Sequence, residues 1–193
     1  MAISAHIAIG MSIGRVAADS AKDRNIKPWL LAFSALAFLP DIDFLWSSHP
    51  PYGLEQYPPF SLFSNNIDML STWGHRGFTH SIGFAVGIGL LLIPVLKIKK
   101  RFSWKLFGLI TLAVLSHPLI DMLSWIVLLT WPFEGLVELF ELWPNFFHVQ
   151  KNRVEFTWQL PENKSFLGQI LVEWLYCSPL WMYACRPIHK SSK

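Results

Sequence analysis

Apolar residues gather into five stretches along this 193-residue chain: Ala2 to Ala18, Pro28 to Trp46, Ile82 to Leu96, Trp104 to Thr130 and Phe166 to Cys185. A helix that crosses a bilayer needs roughly 20 apolar residues. The third stretch is short for that, and the first is interrupted by Ser4, His6 and Gly10. Segment 47–74, of mixed Pro, Tyr, Ser and Asn character, and segment 131–165 separate the stretches, and no repeat or heptad run is visible. The pattern predicts an all-α, polytopic helical membrane protein with about five transmembrane helices, forming a single domain over residues 1–193.

Composition supports the membrane. Hydrophobic residues make up 52% of the chain and charged residues 15%, with a mean hydropathy of +0.36. That leaves too little polar surface for a soluble globule of this size. Ten tryptophans fit a chain with two membrane-water boundaries. The net charge of +3 is too modest for a nucleic-acid footprint, and its distribution is informative instead. Of sixteen Lys and Arg, eleven fall at one set of alternate ends: Lys22, Arg24 and Lys27; Lys97, Lys99, Lys100, Arg101 and Lys105; Arg186, Lys190 and Lys193. Arg76, Lys151, Arg153 and Lys164 lie in the other loops, and Arg15 inside the first stretch. The positive-inside rule then puts the N-terminus outside, the C-terminus in the cytoplasm, 131–165 in an extracytoplasmic loop and 166–185 in the last span. Met1 to Gly14 has no basic start or cleavage site, so no cleavable signal is expected. Cys177 and Cys185 would stand roughly 12 Å apart along a helix, too far for a disulfide.

Against this background stand four polar clusters: His6; Asp41 with Asp43; His75-Arg76-Gly77-Phe78-Thr79-His80-Ser81; and His117 with Asp121. Ionisable groups inside apolar segments are costly, and their default reading is functional. Counted from Lys22, Lys27, Lys97 and Arg101 respectively, His6, Asp41, His80 and His117 lie 14 to 17 residues away. At 1.5 Å per residue that is roughly 21 to 26 Å, one shared level in the outer half of the bilayer. Clusters scattered through the sequence are thus expected to form one site.

The spacing within each cluster narrows the chemistry. His117 and Asp121 share a helix face at i and i+4 and can hold one metal ion, or can join as a His-Asp hydrogen bond that locks two helices. Pro118 between them removes a backbone hydrogen bond. After Pro40, Asp41 and Asp43 point together if the chain is extended and diverge by about 200° if it is helical. Asp41 is then the better ligand, with Asp43 in a supporting or base role; a loop or capping carboxylate is the plain alternative. Thr79 or Ser81 is placed to cap the helix that follows. Arg76 suits an anion, or reaches toward lipid headgroups. His49, His148 and His189 have no ligand-type neighbours and read as loop residues. Glu134, Glu138 and Glu141 have the spacing of an interfacial amphipathic helix.

In this order the motifs closely resemble the YdjM-like family of membrane-bound metal-dependent hydrolases: His6, Leu39-Pro40-Asp41-Ile42-Asp43, His75 to Ser81, and Leu115 to Asp121, all within 1–125. A more distant similarity links them to the helical zinc phospholipase C group. The resemblance implies an inner-membrane protein that binds one or two divalent metal ions, zinc or alternatively manganese, through His6, Asp41, His75, His80, His117 and Asp121. It further implies metal-activated water attacking an ester or phosphoester, and a site near headgroup level between helices open to the side suits a lipid or lipid-linked substrate. Asp43 is expected to take the proton and Arg76 to stabilise developing charge. Membrane lipid is the expected partner and nucleic acid is not. Two competing readings are a metal or proton transporter, which needs polar groups at several depths, and a structural or regulatory protein whose polar cluster ties helices together.

Overall fold

The computed structural model describes residues 3–45, 72–74, 76–122, 127–150, 153–157 and 166–186. The first two helices, α1 (Ile3–Ser20) and α2 (Lys27–Phe38), form an antiparallel pair that touches backbone to backbone. Glycine makes this possible. A Cβ on Gly10 would fall 2.7 Å from the Phe33 carbonyl oxygen, and one on Gly14 would fall 2.6 Å from that of Trp29. Such small-residue spacing lets membrane helices approach closely, where packing rather than water drives association.

Pro28 opens α2, where its missing N–H is not needed. Within the apolar stretch Pro28 to Trp46 the α-helix ends at Phe38, just before Pro40, and tightens into a 3₁₀ turn over Leu39–Leu45, which settles the backbone left open after Pro40. Trp46 lies outside the described residues. Helix α3 (Ile82–Ile98) starts at Ser81, whose hydroxyl accepts a hydrogen bond from Phe84 N, so Ser81 rather than Thr79 is the cap.

The next helix, α4 (Trp104–Asp121), is shorter than the apolar stretch that encodes it. Its continuation has another use. Leu129 and Trp131 offer their carbonyls to the N–H groups of Ile82 and Gly83, satisfying donors that the start of α3 leaves open. Val127 exchanges both backbone hydrogen bonds with Val154. That residue belongs to a hairpin of β1 (Phe147–Gln150) and β2 (Arg153–Phe156), paired in antiparallel register from Phe147 with Phe156 to Gln150 with Arg153. The chain is therefore mostly helical with a small two-stranded sheet, not all-α. Met122, Val127, Leu129, Val137 and Val154 form a second small core beneath this cap.

The expected interfacial helix is reduced to a 3₁₀ turn, Glu134–Val137, and a single α turn, α5 (Glu138–Glu141), with Glu138 and Glu141 exposed. His148, expected in a loop, is exposed on β1. Helix α6 (Phe166–Cys185) closes the fold beside α1: Ser12 Oγ donates to the Leu180 carbonyl and the Arg15 guanidinium to that of Arg186. Cys177 is buried, Cys185 is exposed, and neither forms a disulfide.

The main core, with Ile13, Trp29, Phe33, Leu106 and Ile110, lies between α1, α2 and α4, and Leu92 and Leu96 of α3 pack on it. Burying a side chain such as Phe33 contributes about 1.5 to 3 kcal/mol. Trp29 meets Leu106 at one end, while Ala37 meets His117 at the other, so α2 and α4 run the same way. Outside, Leu90, Leu91, Val95, Leu112, Leu175 and Met182 are exposed. Among the described residues, α4 is the helix long and apolar enough to cross a membrane, and α3 is a shorter apolar one.

Candidate metal centre

The polar clusters meet at the end of the bundle where α1 begins and α2 and α4 finish. The first turns of α1 carry His6, the 3₁₀ turn after α2 carries Asp41 and Asp43, the 3₁₀ turn Phe78–His80 carries His80, and the last turns of α4 carry His117 and Asp121. His6, His80, His117, Asp43 and Asp121 are almost wholly buried, and the side chain of Asp41 is 9% exposed. His117 Nε2 lies 3.1 Å from Asp41 Oδ1 and 3.9 Å from Asp121 Oδ2. His80 Nε2 lies 3.6 Å from each of Asp41 Oδ1 and Asp121 Oδ2, and His6 Nε2 lies 3.4 Å from Asp121 Oδ1. The ligand atoms of His6, His117 and Asp121 lie within 4.8 Å of one another, and so do those of Asp41, His80 and His117. His117 belongs to both triads.

Hydrogen bonds on the far side of the rings fix their roles. His117 Nδ1 lies 2.7 Å from the Ala37 carbonyl oxygen, which can only accept, so Nδ1 carries a proton and the ring turns its Nε2 toward Asp41 Oδ1. His80 Nδ1 faces Thr79 Oγ1 at 3.1 Å and Asp43 Oδ2 at 3.3 Å. Thr79 donates to the same Asp43 oxygen at 2.8 Å. A 3₁₀ turn advances about 120° per residue, so Asp41 and Asp43 diverge. Each therefore reaches a different nitrogen of His80. Neither ring nitrogen of His6 has a hydrogen-bond partner among the described residues, although the ring stacks on His117 at 3.7 Å between centroids and 9° between planes. Leaving buried polar atoms unsatisfied costs about 1 to 3 kcal/mol each, so a further ligand is expected there.

Arg76 is held from both ends. Its N–H donates to Asp43 Oδ2 at 3.1 Å and its Nε to Asp121 Oδ2 at 3.1 Å. Its carbonyl accepts from Leu128 N at 3.1 Å and from Arg153 Nη1 at 3.0 Å. These bonds keep Arg76 in a left-handed conformation, φ 63°, which costs an L-residue about 1 to 2 kcal/mol. Five of the six expected ligands thus come together, and His75 lies outside the described residues. Reading the sequence missed the Ala37 carbonyl, the bond from Thr79 to Asp43, and Arg153. The first two leave no residue signature, and the third looked like an ordinary loop charge.

The sequence matches the YdjM inner membrane protein family over residues 1–186. The chain belongs to this family. No curated protein and no solved structure matches it. Membership places the chain in the inner membrane, where the exposed apolar side chains of α3, α4 and α6 have a fitting environment. The match extends well beyond the motif-bearing residues, to include the hairpin and α6.

Proposed function

We propose that this protein is a membrane-bound metal-dependent hydrolase of an ester or phosphoester, with five crossings, the N-terminus outside and the C-terminus in the cytoplasm. The alternating directions of α1 to α4 and the parallel course of α1 and α6 support that topology, as do the basic residues at the end opposite the histidines. The observation that carries the reading is the convergence of His6, His80, His117, Asp41 and Asp121 on one buried point. With Nδ1 bonded to the Ala37 carbonyl, His117 Nε2 faces the Asp41 carboxylate at 3.1 Å, an arrangement in which an imidazole nitrogen and a carboxylate can share one cation. Of the three carboxylates, Asp121 pairs with the guanidinium of Arg76, and one divalent cation would balance the charges of Asp41 and Asp43. A set of imidazoles and carboxylates without thiolates suits zinc or manganese, as one ion or two.

Bound there, a divalent ion would supply a Lewis acid and a water nucleophile at neutral pH. The chain's own groups do the rest. The Ala37 carbonyl orients His117, and Asp43 orients His80, which favours a positioning role for Asp43 over that of proton acceptor. Arg76, locked against Asp121, supplies fixed positive charge where an oxyanion would develop. A site this close to the membrane boundary suits a lipid or lipid-linked ester.

A through-route for ions needs acids or histidines at several depths. Among the described residues the buried ones gather at this single end. The test is elemental analysis of the purified protein beside Asp121→Ala, with assays on a phospholipid and a model phosphodiester. Wild type should carry zinc or manganese and hydrolyse one of these; the variant should lose both properties. Metal-free wild type that is inert under every divalent supplement would refute the proposal.

A further inference from the structure

At the opposite end of the bundle two clefts share a wall. One, about 680 Å³, is lined by Lys22, Arg24, Lys100, Arg101 and Lys105. The other, about 640 Å³, runs between α2, α3 and α4 and is lined by Phe33, Leu36, Leu92, Leu96 and Ile110. Asp23, Trp29, Arg101 and Leu106 belong to both. Each is of a size that holds a small ligand.

The acid at the junction is already engaged. Asp23 accepts hydrogen bonds from Trp29 Nε1 and Asn25 N, each at 3.0 Å, and its Oδ2 lies 3.5 Å from Arg101 Nη1. The bond from Trp29, then that from Asn25, hold its carboxyl below the usual range. Arg101 also lies over the Trp29 ring, 5.6 Å from its centroid. Its planar guanidinium is thus presented where the charged cleft joins the apolar one, in the form that best pairs with phosphate.

We propose that the joined clefts bind one anionic phospholipid, its phosphate among Lys22, Arg24, Lys100 and Arg101 and its hydrocarbon along Leu36, Leu92 and Leu96. Charge complementarity selects an anion. The adjoining apolar cleft selects an anion with hydrocarbon attached, and an inner-membrane protein meets such molecules in its own solvent. Free phosphate would satisfy the first cleft and leave the second without a role.

The test is native mass spectrometry of the delipidated full-length protein in detergent, offered equal amounts of phosphatidylglycerol and phosphatidylcholine. Phosphatidylglycerol should be retained preferentially, with the preference falling about fivefold for each cation removed in Arg24→Gln and Lys100→Gln. Leu92→Trp, which fills the apolar cleft, should lower phosphatidylglycerol retention, and glycerol 1-phosphate should compete poorly. The exposed Arg24 and Lys100 are chosen so that folding survives. Equal retention of the two lipids, a preference indifferent to these substitutions, or full competition by glycerol 1-phosphate would each overturn the proposal.

Discussion

Where α1 begins, three carboxylates lie buried among three histidines, whereas at the opposite end five lysines and arginines surround a cleft open to the surface. The first arrangement tolerates little change. Each buried charge has a named neighbour, and removing one strands the others in a medium where uncompensated charge is very unfavourable. The second is adaptable, because exposed cations are solvated with or without a ligand. A fixed set of ligands suits a small cation of one size. A solvated cationic cleft suits a headgroup that exchanges with the surrounding membrane.

The sharpest way to break this contrast is Asp43→Ala. It leaves Thr79, Arg76 N–H and His80 Nδ1 without their shared acceptor, and should lower stability by about 3 to 5 kcal/mol in thermal unfolding in detergent. Between the two ends, Gly14→Val drives a side chain into the backbone of α2. Overpacking of this kind costs about 1 to 3 kcal/mol, and by spreading α1 from α2 it should also weaken metal retention. At the basic end, Lys105→Gln should stay within about 0.5 kcal/mol of wild type by the same measurement. A Lys105 effect as large as that of Asp43 would erase the distinction.

Much of the fold was legible in the sequence because helix length and motif order are local properties. The last apolar stretch and α6 share the bounds Phe166 to Cys185, and α3 begins at Ile82 as its capping serine indicates. Counting residues from the basic loops placed His6, Asp41, His80 and His117 at one level, and the chain does bring them together. What could not be read depends on tertiary hydrogen bonding. Nothing in residues 127–131 announces that Leu129 and Trp131 cap α3 or that Val127 pairs with Val154. Whether Asp41 and Asp43 point together or apart depended on the backbone after Pro40, and the 3₁₀ turn decides it. Arg153 reaches Arg76 only because the hairpin folds back over the site, an encounter that no local pattern announces.

The glycine contact between α1 and α2 has a mechanical consequence. Two helices touching backbone to backbone act as one stiff beam, and that beam carries His6 near one tip and Asp41 just beyond the same tip. Their spacing is thereby fixed by the helix pair itself rather than by the loop between them. His80 arrives from a separate turn, steadied by Asp43 and Thr79, and His117 and Asp121 arrive on α4, so the α1 and α2 pair sets the frame against which the other two elements close.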